Sequence, residues 1–241
     1  MQAAEYFLND ASERITYDLD GRQRKVTGGI SAAEARAMQS LITEQQLCTC
    51  VETGVAFGVS TVAICDALKK VSASGKTCKL YGVDPCQFSE HGGSALAILR
   101  RCGLDQFFEL LEGKSHFMLP KLLEQGVQAD FVFVDGWHTF DYTLIDVFLA
   151  DPLLGVGGYL LMHDYGMPSK KKVWRYLATH RKYVLQSCPR LPLHRRVLSA
   201  GKQTCLMNPR RAVSILRSST NLIIARKTEH YEPPHDFFRN F

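Results

Sequence analysis

The sequence lacks several features that would place it in whole classes of protein. No apolar run approaches the roughly 18 to 20 residues that a membrane-spanning helix needs, so we expect no membrane partner. The first residues mix acids with apolar side chains and do not resemble a secretory signal, which predicts a cytoplasmic protein. Of 241 residues, 46% are hydrophobic and 22% are charged, and this composition excludes disorder, collagen and coiled coils.

Cysteine pairs with the spacing C-x-x-C are also absent, although the chain has eight cysteines. Such pairs would favour zinc binding or redox chemistry. Several of the cysteines lie in apolar, strand-like runs, so we expect buried free thiols in preference to disulfides or zinc ligands. The eight are Cys48, Cys50, Cys65, Cys78, Cys86, Cys102, Cys188 and Cys205.

Acidic residues are missing from one long part of the chain. The segment 165–227 contains 15 Lys or Arg and no Asp or Glu, whereas the rest of the chain has 14 basic and 24 acidic residues. A segment of this kind concentrates positive potential, which could attract nucleic acid, a phosphorylated or carboxylated substrate, or an acidic carrier protein. The alternative is a solvated basic face that the acidic remainder balances.

Short apolar or β-branched runs alternate with segments of helical period from Ile30 onward. This alternation predicts an α/β fold in which helices cover both faces of a mostly parallel sheet. Ser31 and Glu34 predict a capping box at the start of the first helix. The predicted strands are 47–54, 79–84, 107–113, 130–136, 157–164 and 220–227, and the predicted helices are 31–46, 59–74, 94–103, 116–126, 139–154 and 170–183.

Three regions of different organisation follow from this pattern. Residues 1–29 precede the alternation and are predicted to form an extension or cap. Residues 30–228 form the main domain, with a basic, irregular insertion at about 185–218, where prolines and paired arginines leave no clear period. Residues 229–241 form a tail whose prolines stop regular structure and whose phenylalanines are expected to dock on the body.

A glycine-containing loop follows the first strand, from Glu52 through Gly54 and Gly58 to Ser60 and Thr61. In open α/β sheets, ligands bind beyond the carboxyl ends of the strands, where a glycine loop allows close approach and a helix start offers free N–H groups. The spacing fits neither a P-loop nor the dinucleotide pattern G-x-G-x-x-G. The pattern E-x-G-x-x-x-G-x-S resembles motif I of the class I S-adenosylmethionine (SAM) methyltransferases. A turn whose glycines serve only packing is the alternative.

The next two strands end in residues that support this resemblance. Asp84 ends the second strand, 30 residues after Gly54, where a carboxylate can accept hydrogen bonds from a ribose diol. The third strand ends in Glu112-Gly113-Lys114-Ser115, and the resemblance implies that adenine lies there. The candidate cofactor-binding residues are Glu52, Gly54, Ala56, Gly58, Ser60, Thr61, Asp84, Gly113, Ser115, Asp135, Trp137 and His138.

The fourth and fifth strands end in residues that can carry chemistry. Asp135-Gly136-Trp137-His138 ends the fourth strand and His163-Asp164 ends the fifth. Parallel strands bring these tips together, so two carboxylates and two imidazoles are expected in one cleft. His138 suits proton transfer because an imidazole titrates near neutral pH.

The run from V-D-G-x-H to G-G-Y-L-L-x-H-D resembles methyltransferase family 24, which includes macrocin-, mycinamicin- and cephalosporin-type O-methyltransferases. The resemblance extends from about Ile30 to Met167 and implies a Rossmann-like, doubly wound, seven-stranded sheet and a homodimer. It further implies Asp135 and Asp164 as magnesium ligands and His138 as the base. His163 departs from the pattern, because metal-using members carry a carboxylate there and histidine is a poor Mg²⁺ ligand.

The residues leave alternatives open at this site. Asp135, His138 and Asp164 could form a metal-free acid/base network. Asp135 and Asp164 could instead cap the following helices, and His138 could lie in a polar rim at a helix start. Trp137 could stack on adenine or substrate, or pack in the core.

The sequence therefore predicts a SAM-dependent methyltransferase. Its catalytic residues would be Asp135, His138 and Asp164, and its acceptor an oxygen, in preference to a nitrogen, of a small hydroxylated or anionic molecule. One alternative is an RNA methyltransferase that binds phosphates through the basic segment 165–227. The D/N-P-P-Y/F turn of enzymes that methylate base nitrogens is missing from the fourth strand. Another alternative is a non-catalytic SAM-binding partner.

Overall fold

The structure is a computed structural model that describes residues 3–8, 14–186 and 221–241. The predicted insertion 185–218 therefore lies outside the described residues except for its first two positions. Cys188 and Cys205 also lie outside them, whereas the other six cysteines are free, as predicted. None of the helices in the described ranges is long and apolar enough to cross a membrane.

The described residues contain seven α-helices and nine strands. The helices are α1 Ala3–Leu8, α2 Ala32–Gln45, α3 Val59–Ser72, α4 Ser94–Cys102, α5 Ser115–Glu124, α6 Phe140–Leu153 and α7 Pro168–His180. The strands are β1 Ile15–Tyr17, β2 Gln23–Lys25, β3 Thr49–Thr53, β4 Lys79–Val83, β5 Phe108–Leu111, β6 Ala129–Val134, β7 Leu154–Met162, β8 Tyr183–Leu185 and β9 Ile223–Lys227.

Seven of these strands form one sheet in the order β5-β4-β3-β6-β7-β9-β8. Strands β3 to β7 pair in parallel, and β9 runs antiparallel to both of its neighbours. This confirms the predicted seven-stranded, mostly parallel sheet. The chain moves outward from β3 to β5 and then returns to place β6 on the other side of β3. Ligands of doubly wound sheets bind at such a switch in strand order.

Helices cover both faces of the sheet, and β6 shows why its sequence is apolar throughout. Phe131 and Phe133 pack in a core with α2, α3 and α4, whereas Val132 and Val134 pack in a second core with α5, α6 and α7. All four side chains are fully buried, because successive residues of a strand point to opposite faces and both faces are covered.

The predicted capping box at α2 is present. The Ser31 hydroxyl accepts a hydrogen bond from the Glu34 backbone N–H at 3.3 Å, and the Glu34 carboxylate accepts one from the Ser31 N–H at 2.8 Å. Two free N–H groups at the start of the helix are thereby satisfied.

Two parts of the chain contain structure that the pattern did not predict. Residues 1–29 contain α1 and the antiparallel pair β1–β2. The connection between β1 and β2 docks on the loop after β4, where the Leu19 N–H donates to the Gly92 carbonyl at 3.0 Å. The predicted helix 170–183 ends at His180 because Arg181 is extended, and Tyr183 begins the edge strand β8.

The side chain of Glu52 is fully buried between β3 and α3. Its two oxygens accept hydrogen bonds from the hydroxyls of Ser60 and Thr61, the latter at 2.7 Å. Burial raises the pKa of Glu52 to about 8, and the two hydroxyl hydrogen bonds offset only part of that effect. Glu52 therefore fastens the end of the strand to the start of the helix that follows it.

The variant Glu52→Gln tests this buried carboxyl. The folded protein keeps the Glu52 proton up to about pH 8, whereas the unfolded chain loses it near the ordinary pKa of 4.5. The folded state binds more protons between these values, so the Glu52 contribution to the free energy of unfolding falls as pH rises, by at most about 5 kcal/mol. The free energy of unfolding of wild type minus that of Glu52→Gln, measured by urea denaturation from pH 5 to 8, should therefore fall as pH rises.

The exposed Glu124 offers a matched control, because Glu124→Gln removes the same chemical group from the surface. The difference in free energy of unfolding between wild type and Glu124→Gln should stay nearly constant over this pH range. A constant difference for Glu52→Gln as well would contradict a carboxyl that is protonated in the folded protein.

Candidate active site

A cavity of about 670 Å³ opens at the carboxyl ends of β3, β4, β5 and β6. Its volume lies within the range of small-molecule and cofactor sites. Its walls come from the loops that follow these strands and from residues 26–29 of the leading segment. The lining residues are Val26, Thr27, Gly28, Gly29, Thr53, Gly54, Val55, Ala56, Phe57, Val59, Ser60, Val83, Asp84, Pro85, Cys86, Glu90, His91, Lys114, Ser115, Asp135, Gly136, Trp137, His138, Tyr142 and Asp146.

Gly54 brings the tips of β3 and β6 into close approach. It has a φ of +87°, and a Cβ atom there would lie 2.4 Å from the carbonyl oxygen of Asp135 and 2.8 Å from Cα of Gly136. Backbone atoms cannot move aside as a flexible side chain can. A residue with a side chain at position 54 would therefore separate the glycine loop from the loop that carries Asp135.

Asp84 lies at the tip of β4 and fixes the conformation of the glycine loop. Its Oδ2 accepts a hydrogen bond from the N–H of Ala56 at 2.7 Å, and its Oδ1 accepts one from the N–H of Cys86 at 2.7 Å. Ala56 has a φ of +46°, which is uncommon for a residue with a side chain. Each carboxylate oxygen keeps a further lone pair that can accept a hydrogen bond from a ribose hydroxyl.

Gln87 supports the same loop from the protein interior. Its side-chain amide donates to the carbonyl oxygen of Ala56 at 2.9 Å and accepts from the N–H of Ala95 at 3.3 Å. Gln87 is fully buried, and no motif in the sequence indicates this role.

Four of the predicted cofactor-binding residues do not line the cavity. Glu52 and Thr61 are fully buried and hydrogen bonded to each other, so they support the loop from the protein interior. Gly58 packs its Cα region against Ala95, where a Cβ would lie at 3.0 Å, and a Cβ on Gly113 would meet Met118 at 2.8 Å. These four residues shape the loops around the cavity, and their contact with a cofactor stays a prediction.

The other eight predicted residues do line the cavity. They are Gly54, Ala56, Ser60, Asp84, Ser115, Asp135, Trp137 and His138. Trp137 is 68% exposed, so the alternative of core packing is wrong. The tryptophan instead leaves an aromatic face free at the cavity rim.

Several lining residues have no counterpart in the sequence prediction. Phe57 and His91 make an edge-to-face ring contact at 4.8 Å between centroids. Asp146 comes from the interior of α6 and lines the floor of the cavity, where its Oδ2 accepts a hydrogen bond from the Thr53 hydroxyl at 3.0 Å. The double glycine at 28–29 could have indicated a loop in the leading segment. Both residues have a positive φ, which glycine adopts readily.

The tips of β6 and β7 bring the predicted acid/base residues together. Asp135, His138 and Asp164 each offer a ligand atom, and these atoms lie within 4.8 Å of one another. Nε2 of His138 lies 3.6 Å from Oδ2 of Asp164, and the His138 side chain is 45% exposed. Asn221 donates a hydrogen bond to Oδ1 of Asp164 at 3.1 Å and holds this carboxylate in place.

The capping alternative for the two aspartates is wrong. Thr139 is the N-cap of α6 and Met167 is the N-cap of α7. The carboxylates of Asp135 and Asp164 therefore face other side chains and do not close helix ends.

His163 is buried behind the cluster and contacts carboxylates on both sides. Its Nδ1 lies 3.2 Å from Oδ1 of Asp135, and its Nε2 lies 3.6 Å from Oε1 of Glu34. Burial alone would lower the pKa of His163, but the charges of Asp135 and Glu34 raise it well above its ordinary value. Burial would likewise raise the pKa of Asp164, and His163 with Asn221 lowers it below its ordinary value.

Lys170, in the first turn of α7, is one of the basic residues that the sequence assigned to an anionic partner. Its side chain is fully buried and interacts electrostatically with Asp135, Asp146 and Asp164. It therefore belongs to the interior of this site and not to a phosphate-binding surface. Much of the remaining basic segment falls in 187–220, outside the described residues.

Comparisons with known proteins agree with this geometry. A family model described as a methyltransferase domain, family 24, matches residues 51–165. The O-methyltransferase TomG from Streptomyces achromogenes, solved in complex with SAM, has 17% identity and a TM-score of 0.62, with 83% of this chain and 82% of that chain covered. The O-methyltransferase from Bacillus cereus, in complex with SAH, has 12% identity and a TM-score of 0.64, with 84% of each chain covered.

The matched residues contain both the glycine loop and the acid/base cluster, and the solved structures share the fold. Residues 51–165 match the methyltransferase domain of family 24, and this match together with the shared fold supports a SAM-dependent methyltransferase.

Proposed function

We propose that the enzyme transfers the methyl group of SAM to an oxygen, in preference to a nitrogen, of a small hydroxylated or anionic molecule, with His138 as general base. The observation that carries this proposal is the position of His138. Its imidazole is half exposed at the cavity and lies 3.6 Å from the Asp164 carboxylate. An imidazole in this setting can reach an acceptor hydroxyl, and the nearby carboxylate stabilises the imidazole once it has taken the proton.

The cavity residues fit SAM in three respects. Asp84 offers acceptor oxygens for a ribose diol, the loop at Gly54 leaves backbone exposed to a ligand, and Trp137 offers an aromatic face. When bound, SAM supplies a methyl group on a positively charged sulfur. Asp84, fixed by two backbone N–H groups, would then set the position of that methyl group relative to His138.

The role of His138 follows from the balance of the reaction. The acceptor oxygen forms a bond to the methyl carbon while the bond between that carbon and sulfur breaks, and the electron pair of the broken bond stays on sulfur. The hydroxyl proton passes to the imidazole of His138. The positive charge that leaves the sulfur is thus replaced by an imidazolium, which the Asp164 carboxylate stabilises.

Mg²⁺ does not fit the residues at this cluster. The ion favours octahedral oxygen ligands, yet one of the three converging groups is the imidazole of His138. Oδ1 of Asp135 is already paired with Nδ1 of His163 at 3.2 Å. We therefore assign no step to a metal and propose the metal-free network of Asp135, His138 and Asp164.

The remaining parts of the sequence prediction stay predictions. They are the homodimer, the cytoplasmic location and the domain limits at 30 and 228. Nothing in the described residues favours the RNA methyltransferase or the non-catalytic partner over the small-molecule enzyme. A screen of hydroxylated and anionic small molecules with radiolabelled SAM tests the acceptor class directly.

The cofactor site is tested by Asp84→Asn and Gly54→Ala, with SAH affinity measured by isothermal titration calorimetry. Asp84→Asn leaves a single acceptor oxygen for the N–H groups of Ala56 and Cys86, and Gly54→Ala forces a Cβ against the Asp135 carbonyl. We expect each variant to bind SAH about 10²-fold more weakly, which corresponds to roughly 2 to 3 kcal/mol.

Gly75 provides a matched control for the glycine variant. It has the same φ of +87° as Gly54, but a Cβ there meets nothing within 4 Å. Gly75→Ala should therefore carry the same backbone strain and keep the wild-type affinity for SAH. Unchanged affinity in folded Asp84→Asn and Gly54→Ala would contradict the placement of the cofactor.

The base is tested by His138→Ala, with turnover measured on an acceptor found in the screen. We expect turnover to fall by about 10² or more while SAH affinity stays at the wild-type value, because only proton transfer is removed. His230→Ala, which changes an exposed histidine of the tail, should leave both quantities unchanged. Near-normal turnover of His138→Ala would exclude His138 as the base.

A further inference from the structure

Lys170 and Lys227 have fully buried side chains, and the two are satisfied differently. The ammonium group of Lys227 donates to the carbonyl oxygens of Asp151 and Leu154 and lies 3.2 Å from the Asp151 carboxylate. Among the residues that the structure describes, the ammonium group of Lys170 has no hydrogen-bond partner. Burying an unpaired charge is costly, so the position of Lys170 needs an explanation other than packing.

The surroundings of Lys170 are acidic and belong to the active site. Asp135, Asp146 and Asp164 all favour its charged form, although burial lowers the pKa of Lys170 below its ordinary value. The side chain of Lys170 therefore lies among carboxylates, of which Asp135 and Asp146 line the cavity.

The start of α7 explains how the lysine reaches this place. Pro168 and Ser169 form the first positions of the helix directly after the β7 tip, and Lys170 follows them. The Ser169 hydroxyl donates to the carbonyl oxygen of His138 at 2.9 Å and ties this turn to the loop that carries the base. The first turn of α7 thus connects the base, the two carboxylates and the lysine.

We propose that Lys170 is the built-in counter-cation of the Asp135 and Asp164 carboxylates and that its charge keeps a divalent metal out of the cluster. This inference rests on the proposed function. It makes Lys170 a positioning residue, which acts through the two carboxylates and does not touch the reacting atoms. A divalent ion would bring two further positive charges to a region that already holds an ammonium group, and the repulsion weakens its binding.

Removal of the lysine charge should reverse this exclusion. In Lys170→Met the converging groups of Asp135, His138 and Asp164 remain, within 4.8 Å of one another and with no lysine behind them. The carboxylate oxygens of this group suit Mn²⁺. The variant should therefore gain a metal site that the wild type lacks.

The experiment is a titration of the full chain with Mn²⁺ alone, in which the electron paramagnetic resonance signal reports the free ion. Wild type should bind Mn²⁺ no tighter than about 1 mM, and Lys170→Met should bind it at least about tenfold tighter. Lys171→Met removes the same charge from the adjacent, partly exposed position and should behave as wild type. Adding Asp164→Asn to Lys170→Met should abolish the gain.

Wild-type binding of Mn²⁺ well below 1 mM, or equal binding by wild type and folded Lys170→Met, would overturn the proposal. If circular dichroism shows that Lys170→Met does not fold, the wild-type titration and Lys170→Arg decide, and Lys170→Arg should remain as resistant to Mn²⁺ as wild type. These titrations need no acceptor, so their result is independent of whether oxygen methylation is observed. Where turnover is measurable, EDTA should change it less than twofold.

Discussion

The close approach of β3 and β6 at their carboxyl ends is the contact on which the rest of the site depends. The Asp135 N–H donates to the Thr53 carbonyl at 3.0 Å, and the Gly54 N–H donates to the Val83 carbonyl at 2.9 Å. The absence of a side chain at Gly54 lets the two loops pass within contact distance. One loop then leads into α3 and the other to His138, so this backbone contact sets the distance between the glycine loop and the imidazole.

Charge balance is the second constraint on this site. The carboxylates of Asp135 and Asp146 line the cavity, Asp164 lies beside them at the β7 tip, and the buried His163 and Lys170 interact with these carboxylates. Clustered carboxylates raise each other's pKa unless a positive charge compensates them. At Asp164, beside His138, the charge of His163 and the hydrogen bond from Asn221 outweigh burial and lower the pKa of the carboxyl below its ordinary value.

The ends of the strands could be predicted because a buried parallel strand has an uninterrupted apolar sequence. A polar residue that ends such a run must therefore lie at the edge of the sheet. Asp84, Asp135 and Asp164 were found in this way. Asp146 was missed because it lies inside a helix, where no local pattern distinguishes a cavity-facing carboxylate from a solvated one. Lys170 was predicted to be a surface charge because composition gives the charge of a residue and does not give its burial. The burial of Lys170 follows from the packing of α7 against residues distant in the sequence.

Glu52 shows a related limit. The motif that contains it correctly marked the glycine loop, but a glutamate beside a cofactor and a glutamate that ties a strand to a helix have the same spacing. Only the positions of the Ser60 and Thr61 hydroxyls, which occupy both of its oxygens, separate the two roles. Patterns of residue type thus locate a loop more reliably than they say which of its side chains face the ligand.

The leading segment changes what counts as the catalytic unit. Residues 26–29 form part of the cavity wall, and the β1–β2 connection is hydrogen bonded to the loop after β4, which forms another part. A recombinant fragment trimmed to the recognisable Rossmann-like pattern would keep the sheet and both cores but would lose one side of the cofactor cavity. Affinities measured on such a fragment would therefore fall below those of a chain that keeps residues 14–29.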